Sequence, residues 1–415
     1  MDELAARLDD LRDRGLYRKL RLISGPQGPR VLLDGKPVLL LCSNNYLGLA
    51  DHPRVRQAAA DAAMRWGAGA GASRLVSGNM TIHRRLEERI AEFKRSDACV
   101  LFGSGYLANT GIIQALAREG DVVFSDALNH ASIVDGCRLA GARTFVYDHC
   151  DTDHLEWGLR EASGRGALIV TDGIFSMDGD VAPLREIVEI AHRYDARVMV
   201  DDAHGLGALG AGGRGAVAAA GLEDEVDVVV GTLGKALGSY GAYACTSTTI
   251  AKWLVNSART LIFSTALPPP AVAAAGAALE LLVDEPRRVD RLQRNAGILR
   301  EALNGRRVRT GDSTTQVLPL VVGEADDAVR VCERALEKGV FAQAIRPPTV
   351  SQGSSRLRLA VMASHTRAEL EDAAATLAAA FRAVVGDRPA PAPVPLETLE
   401  EPVRGRIYDG LAEAA

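Results

Sequence analysis

The chain has 415 residues, of which 47% are hydrophobic, 24% charged and 5% aromatic, and its formal net charge is -5. This length predicts more than one domain, and the ordinary composition predicts a globular chain rather than a fibrous or disordered one. Because the net charge is slightly negative and like charges do not cluster, the chain is not expected to bind nucleic acid or an anionic membrane surface.

The N-terminal part of the chain is predicted to be a helix followed by an arm of short strands. Leucines and charged residues alternate at helical spacing over residues 1–22, and a glycine- and proline-rich cluster at 25–29 ends this helix. Two short strands, 30–33 and 38–42, follow and are joined by a turn. Residues 1–53 are therefore predicted to be an N-terminal helix and arm.

From residue 54 to residue 270, apolar strands alternate with helices. The strand candidates are 98–102, 122–125, 144–147, 167–171, 197–200 and 226–230. The helices between them include 82–94, 106–117 and 184–194. Such alternation predicts an α/β domain whose largely parallel sheet is covered by helices on both faces. Ligands of such sheets bind beyond the carboxyl ends of the strands.

A smaller α+β domain is predicted over residues 271–385. An alanine-rich helix at 270–282 leads into this domain, and its strands are predicted at 317–322, 341–345 and 356–361. Residues 386–415 are predicted to be a proline-rich tail. Its alternating prolines predict an extended tether, and its last twenty residues are predicted to form one helix.

The cysteines predict a reducing compartment. Six are scattered along the chain without any C-x-x-C pair: Cys42, Cys99, Cys137, Cys150, Cys245 and Cys332. This pattern predicts free thiols rather than disulfides or a zinc site. The segment 149–154 is rich in metal-ligand residue types, but adjacent loop side chains diverge, so no metal site is expected there. With no signal peptide or transmembrane segment expected either, the predicted location is the cytoplasm.

Lys235 lies in an unusual setting for a lysine. Its neighbours in the segment 231–238 are small or apolar, and a predicted buried strand precedes them. Burial disfavours the ammonium form, which lowers the pKa of a lysine and makes its amine nucleophilic. Lys235 is therefore a candidate for Schiff-base chemistry with a carbonyl compound or with pyridoxal phosphate (PLP). A lysine that merely caps the junction of strand and turn is the alternative.

Two carboxylates and a histidine follow the predicted strand 197–200. Asp201 or Asp202 at this position can hold a proton on a pyridine nitrogen, which makes PLP an electron sink, and His204 lies beside them. A helix N-cap is the alternative role for either carboxylate. The glycines of 205–210 match G-x-G-x-x-G, but the motif runs into a loop, so a nicotinamide dehydrogenase is not predicted.

Other polar residues follow neighbouring strands. Gly105 and Tyr106 open a helix whose N-terminal N–H groups suit a phosphate, and the hydroxyl of Thr232 can reach the same group. His130 can stack on a flat ring, although a capping or solvated role is common for such a histidine. Ser176 is the best-placed hydroxyl after the strand 167–171.

Arg356 and Arg358 alternate along one predicted strand and therefore share a face. Paired arginines suit bidentate binding of a carboxylate. A solvated strand face is the alternative.

Over residues 16–385, the motifs and their order along the chain resemble those of the α-oxoamine synthase family of fold-type-I PLP enzymes. The motifs are Asn44-Asn45-Tyr46-Leu47-Gly48-Leu49, Arg74-Leu75-Val76-Ser77-Gly78, His130 with its neighbours, Asp201-Asp202-Ala203-His204-Gly205 and Thr232-Leu233-Gly234-Lys235. The resemblance implies the PLP-dependent transferase fold, with a mainly parallel seven-stranded sheet in the large domain, 54–270. It also implies a homodimer with active sites at the interface.

The resemblance implies a role for each matching residue. Lys235 carries the cofactor and acts as a base, Asp201 pairs with the pyridine nitrogen, and His130 stacks on the ring. The implied cofactor-binding residues are Gly105, Tyr106, His130, Ser176, Asp201, His204, Thr232 and Lys235, with Ser264 and Thr265 reaching the partner's cofactor. The implied substrate-binding residues are Arg18, Asn44, His130, Thr349 and Arg358.

Two segments bear on the substrates. Residues 343–350 and 356–359 are similar to the branch of the family that condenses L-alanine with a pimeloyl thioester of coenzyme A or a carrier protein. Residues 238–241 lean toward the branch that joins glycine and acetyl-CoA, and Cys150 stands where asparagine is usual. The alternatives are therefore that second branch and a PLP-binding scaffold without catalysis.

Overall fold

The computed structural model describes residues 2–162, 164–386 and 407–408. In chain order the α-helices of this part are α1 (Asp2–Asp13), α2 (Pro53–Trp66), α3 (Thr81–Lys94), α4 (Gly105–Leu116), α5 (Ala131–Ala140), α6 (Thr152–Glu161), α7 (Leu184–Arg193), α8 (Ala216–Ala220), α9 (Thr248–Ser257), α10 (Arg259–Ile262), α11 (Pro269–Asp284), α12 (Arg287–Asn304), α13 (Ala325–Glu337) and α14 (Arg367–Val385).

The strands are β1 (Ile23–Ser24), β2 (Arg30–Leu33), β3 (Lys36–Leu40), β4 (Ala98–Phe102), β5 (Val122–Asp126), β6 (Arg143–Tyr147), β7 (Ala167–Asp172), β8 (Arg197–Asp201), β9 (Val228–Thr232), β10 (Ala242–Thr246), β11 (Val317–Gly323), β12 (Val340–Phe341), β13 (Gln343–Ile345), β14 (Ser355–Ala360) and β15 (Ile407–Tyr408). A π-helical turn, Arg74–Gly78, and a 3₁₀ turn, Ala211–Gly213, complete the helical elements of the described residues.

The chain packs into two compact units. The large unit contains residues 49–176 and 181–289 together with β15, and the small unit contains the described parts of 1–48, 177–180 and 290–399. The domain limits expected from the sequence, 1–53, 54–270, 271–385 and 386–415, stay predictions about functional domains. The predicted proline-rich tether and C-terminal helix lie outside the described residues, apart from the strand β15.

The large unit is built around one sheet in the order β15-β6-β5-β7-β8-β9-β10-β4. Strands β6, β5, β7, β8 and β9 run parallel, as predicted, whereas β10 is antiparallel to both β9 and β4. The parallel strands are apolar runs because both faces are covered by helices. On one face, Val123, Val170 and Val230 pack with Ile112 of α4 and Ile133 of α5.

The small unit contains two smaller sheets. One has the order β1-β2-β3-β12 and the other is antiparallel with the order β11-β14-β13. Leu318 of β11, Leu357 of β14 and Leu377 of α14 lie in its hydrophobic core. Each fully buried leucine contributes about 1.5–3 kcal/mol through removal of its side chain from water.

The first helix is shorter than predicted. The periodic pattern of leucines extends to residue 22, but α1 ends at Asp13. Gly15 has a φ of 64°, a left-handed conformation that favours glycine and terminates the helix. The prediction of a helix over 1–22 was therefore wrong for residues 14–22. No helix in the described part of the chain is both long and apolar enough to span a membrane.

Candidate active site

Polar residues converge at one edge of the large sheet. The parallel strands β5, β7, β8 and β9 end in Asp126, Asp172, Asp201 and Thr232, and Asp172 pairs in register with Asp201. The carboxyl ends of parallel strands lie at the same edge, which is where α/β sheets bind ligands. The strand-end residues singled out in the sequence are therefore neighbours in space.

Lys235 lies in the loop 233–241, which joins β9 to the antiparallel strand β10. Backbone hydrogen bonds close this loop, with Leu233 N donating to Gly241 O at 2.9 Å and Ser239 N donating to Leu233 O at 2.9 Å. The half-buried Lys235 places its Nζ 2.9 Å from Nε2 of His204. Two side chains that are 31 positions apart in the sequence thus meet directly.

The loop depends on a glycine just after the lysine. Gly238 has a φ of 61°, and a Cβ there would collide with the backbone of Ala50. Its N–H also donates to Lys235 O at 2.9 Å. A side chain at position 238 would therefore displace the backbone that carries Lys235.

Asp201 is buried at the end of β8, and both of its carboxylate oxygens are engaged. Its Oδ2 accepts a hydrogen bond from Nδ2 of Asn109 at 2.6 Å, and its Oδ1 accepts one from Ala203 N at 3.0 Å. These two donors fix the orientation of the carboxylate. A carboxylate held in this way can pair with a protonated pyridine nitrogen.

His130 belongs to the same network. Its Nδ1 accepts hydrogen bonds from the backbone N of Ser132 and, at 2.7 Å, from the Ser132 hydroxyl, whose oxygen accepts from Nδ2 of Asn109 at 2.8 Å. Burial lowers the pKa of His130, Asp201 raises it and Lys235 lowers it. His130, which is predicted to be catalytic with Lys235 and Asp201, is thus linked to Asp201 through Ser132 and Asn109.

Asn109 and Ser132 are functional candidates to which the sequence analysis assigned no role. Both are fully buried, and Asn109 links Ser132 to Asp201 through its two amide hydrogens. Each lies early in a helix that follows a strand of the large sheet, and this position is the signal that could have found them. The Oδ1 of Asn109 is buried without a hydrogen-bond partner among the described residues, which fits a site that holds a further polar group.

The N-terminus of α4 offers a site for an anion. Ser104 caps this helix by accepting a hydrogen bond from Leu107 N at 3.2 Å, and the position where Gly105 would carry a Cβ is open. Free N–H groups and the helix dipole at such an end suit a phosphate. The half-exposed Tyr106 donates its hydroxyl to Asp135 at 2.6 Å, and the hydroxyl of Thr232 donates to Gly241 O at 3.1 Å.

Three further predicted cofactor contacts lie in the large unit. Ser176 and Ser264 are half-buried, and Thr265 is exposed. Thr265 pairs with Ser73 in an isolated antiparallel bridge, so the segment 264–265 lies beside the π-helical turn. The roles assigned to these three residues stay predictions.

Four of the five predicted substrate residues, all except His130, lie in the small unit. Arg358 is buried, and its guanidinium donates to Asn44 Oδ1 at 3.1 Å and to the hydroxyl of Tyr46 at 3.4 Å. Arg356 shares its face, as predicted, but pairs with Asp178. The two arginines therefore have different partners. Arg18 and Thr349 are exposed, and nothing in the geometry tests their predicted roles.

Comparison with known proteins gives a consistent assignment. The family model of aminotransferase class I and II matches residues 36–377. The 8-amino-7-oxononanoate synthase of Geobacter sulfurreducens is 53% identical over 381 residues, which cover 90% of this chain and 97% of that protein. A homologue with the same name from Citrifermentans bemidjiense is also 53% identical, over 378 residues, with 90% and 97% coverage.

Solved structures share the fold. A structure of SPT with PLP has a TM-score of 0.88 and 32% identity, and the match covers 92% of this chain and 98% of that one. The predicted seven-stranded transferase fold and the predicted family resemblance are confirmed by these likenesses. On the extent of the family match and the identity to its curated relatives, the chain belongs to the aminotransferase class I and II family.

Proposed function

We propose that the chain catalyses the reaction of an 8-amino-7-oxononanoate synthase in biotin biosynthesis. L-Alanine condenses with a pimeloyl thioester, and the products are 8-amino-7-oxononanoate, CO₂ and the free thiol carrier. The observation that carries this proposal is the 53% identity over 90% of the chain to synthases of that name. The meeting of Lys235, His204, Asp201 and His130 at one sheet edge supports it.

PLP is the proposed cofactor, and when bound it supplies an electron sink for the charge that develops at the substrate Cα. The amine of Lys235 would hold the cofactor and is the base proposed to move the substrate Cα proton. The ring of His204, 2.9 Å from this amine, restricts where the amine can lie. Asp201, oriented by Asn109 and Ala203, holds the proton of the pyridine nitrogen.

The remaining contacts orient the cofactor. The first turn of α4, with Gly105 and Tyr106, and the hydroxyl of Thr232 are proposed to bind the phosphate. His130 is proposed to stack on the ring, and the neutral form that its lowered pKa favours suits an aromatic contact. Ser176 is proposed to bind the ring oxygen together with His204.

The small unit is proposed to supply the substrate contacts. Arg358 is proposed to bind the carboxylate of alanine. Its guanidinium is buried and is held in place by Asn44 and Tyr46, so it is preorganised for this contact. Asn44, Thr349 and Arg18 are proposed to contact the rest of the substrates. Since coenzyme A and an acyl carrier protein present the same thioester, either can deliver the pimeloyl group.

We further propose a homodimer in which Ser264 and Thr265 reach the partner's cofactor. Large apolar side chains beside this segment are exposed, with 71% exposure for Phe263, 54% for Leu75 and 79% for Val76. The bridge between Ser73 and Thr265 brings these segments together. Exposed apolar side chains on neighbouring segments are suited to burial against a second copy.

Release of free thiol tests the proposed reaction. The purified protein with PLP is given L-alanine plus pimeloyl-CoA and, separately, glycine plus acetyl-CoA. We expect faster release with the first pair, whereas faster release with the second pair would assign the enzyme to the alternative branch. A protein that is yellow, and in which borohydride fixes the cofactor on Lys235, excludes the dehydrogenase; no thiol release with either pair would favour the non-catalytic scaffold.

A further inference from the structure

A thiol, an imidazole and a carboxylate come together in the loop that follows β6. His149 and Cys150 lie in this loop, and Asp126 is the last residue of the neighbouring strand β5. The Nδ1 of His149 is 2.9 Å from Asp126 Oδ1, and its Nε2 is 3.6 Å from the Sγ of Cys150. The three groups are therefore arranged in the order carboxylate, imidazole, thiol, and the expectation that adjacent side chains of this loop diverge was wrong for His149 and Cys150.

This order matters because the two ring nitrogens have different partners. The carboxylate of Asp126 accepts the hydrogen on Nδ1, which leaves the lone pair of Nε2 directed at the thiol. The Asp126 side chain is 1% exposed, so its carboxylate is a fixed partner of the ring. A base that is oriented by a third group beside a nucleophile is the arrangement that activates cysteine.

Two further contacts hold the geometry. The ring of His149 packs edge-on against Phe175, with ring centroids 4.4 Å apart and planes at 89°. The backbone N–H of Cys150 donates to Asp126 Oδ2 at 2.8 Å and holds a residue whose φ is 56°. The imidazole and the backbone that carries the thiol are thus both held by the same carboxylate.

We propose that Cys150 is a nucleophilic thiol, deprotonated by His149, and a site of S-thiolation by small disulfides. In this step the thiolate attacks one sulfur of a disulfide R–S–S–R and a new S–S bond to Cys150 forms. The old S–S bond breaks, and the leaving thiolate takes the proton that His149 received. Both side chains are half-buried rather than enclosed, so a small disulfide can reach them.

Burial favours the neutral form of two titratable groups near this loop. Titratable groups near the loop include Asp126 of β5, Tyr147 of β6, Asp148 beside His149, Asp172 of β7, and Asp151 and His154 at the start of α6. Burial raises the pKa of Tyr147 well above its ordinary value, so this phenol stays neutral. Burial also raises the pKa of Asp172, which favours its neutral form.

The chain contains its own control thiol. Cys42 is half-buried like Cys150, but burial raises the pKa of Cys42 to about 12. The other four cysteines, Cys99, Cys137, Cys245 and Cys332, are buried. Cys42 is therefore the reference for an unactivated thiol, and activation is separated from exposure by a variant of His149.

The test is the rate of thiolation of the full-length, PLP-loaded protein by the neutral reagent 2,2′-dipyridyl disulfide. We expect one thiol to react at least about tenfold faster than the rest near pH 6.5, where an ordinary thiol is about 1% thiolate. Peptide mass mapping should place this adduct on Cys150. Cys42→Ser should leave the fast phase intact, and Cys150→Ser should remove it.

His149→Gln separates activation from simple exposure. We expect it to slow the fast phase at least about tenfold near pH 6.5 and to restore the steep pH dependence of an ordinary thiol. The pH profile of the wild type gives the same information without a variant. The rate of Cys150 thiolation should change little between about pH 6.5 and 8.5. A fast adduct on another cysteine, or a Cys150 rate that falls tenfold per pH unit in the wild type, would overturn the proposal.

Discussion

Lys235 is the residue on which the proposed chemistry depends most directly. Its amine is assigned both to hold the cofactor and to move the Cα proton, so Lys235→Ala should lower thiol release by at least about a thousandfold. The half-buried side chain contributes little to packing, and the circular dichroism spectrum should not change. Lys252→Ala, on an exposed position of α9, is the control and should retain full activity. Substantial thiol release by Lys235→Ala would refute the assignment.

Asn109 is predicted to act by positioning Asp201. Asn109→Ala removes a hydrogen bond to a charged group, which contributes about 1.5–3 kcal/mol, and kcat should fall about 10- to 150-fold. A merely structural role would lower stability and leave the absorption spectrum of the bound cofactor unchanged, whereas loss of positioning should shift that spectrum. The control is Gln114→Ala, later in the same helix, which removes a hydrogen bond to Thr110 O. This variant should leave kcat and the cofactor spectrum unchanged. An Asn109→Ala enzyme with normal kcat and spectrum would contradict this role.

Sequence patterns identified the functional residues at the ends of strands. They did not identify the helical residues that hold these side chains in place. Lys235, Asp201 and His204 follow apolar runs that mark buried strands, so their edge of the sheet could be predicted. Asn109 and Ser132 lie within helices, and which face of a helix meets the sheet is decided by tertiary packing. The sequence around Asn109, with Ala108 before it and Thr110 after it, does not reveal which face of the helix this residue occupies.

At the scale of elements, a buried ion pair connects the end of α3 to the end of β8. Lys94 Nζ donates to Asp202 Oδ2 at 2.9 Å and to Arg214 O, and the two side chains are 4% and 0% exposed. Burial raises the pKa of Asp202, and the ammonium group of Lys94 opposes that shift. The pair therefore stabilises the turn that carries His204.

Lys94→Met should destabilise the protein by about 3–5 kcal/mol, because it leaves the carboxylate of Asp202 buried without its cation. Arg84→Met on the same helix breaks the exposed pair with Glu88 and should cost about 0.5 kcal/mol or less. Urea unfolding of the two variants at neutral pH measures the difference. Equal costs for both variants would show that the buried pair contributes no more than an exposed one.

The turn between β14 and α14 is predicted to be sensitive to acid. His365 is buried there, its Nδ1 accepts from Met362 N at 3.0 Å, and its Nε2–H donates to Leu40 O at 3.1 Å. Burial lowers its pKa to about 4 from 6.5. Between these values the unfolded chain binds a proton that the folded chain does not, so this residue makes stability fall as the pH falls from about 6.5 to 4.

The effect is measured by comparing His365→Gln with the wild type. In the wild type, protonation of His365 lowers the free energy of unfolding by at most about 3 kcal/mol. The variant has no imidazole at this position and does not show this loss. The difference in unfolding free energy between the two proteins should therefore shrink from pH 7 toward about pH 4. A constant difference for His365→Gln would contradict the predicted shift.

Most strands of the large sheet were predicted within two residues, yet β10 was not predicted. Its residues, Ala242–Thr246, are all buried, and the run is short and follows the glycine-containing loop 233–241. Periodicity cannot distinguish such a run from a buried helical segment. The position of β10, antiparallel between β9 and β4, depends on long-range pairing that local sequence does not encode.

At the scale of the whole molecule, the proposed dimer can be tested at its apolar surface. Phe263→Asp places a charge on a surface expected to be buried, and charge burial without a partner is costly. We expect sedimentation to show a shift from dimer to monomer and activity to fall with it. Trp253→Asp, at a 54% exposed position of α9 outside the segment 263–265, is the comparison variant. A Phe263→Asp protein that remains a fully active dimer would refute this interface.

The hairpin that carries Lys235 has a consequence for the timing of catalysis. Because β9 and β10 pair in register on both sides of the loop 233–241, the backbone beneath the lysine is anchored at both ends. Movement of the amine then requires rotation about side-chain bonds and no rearrangement of the main chain. A slow conformational change of this loop is therefore not expected to limit turnover.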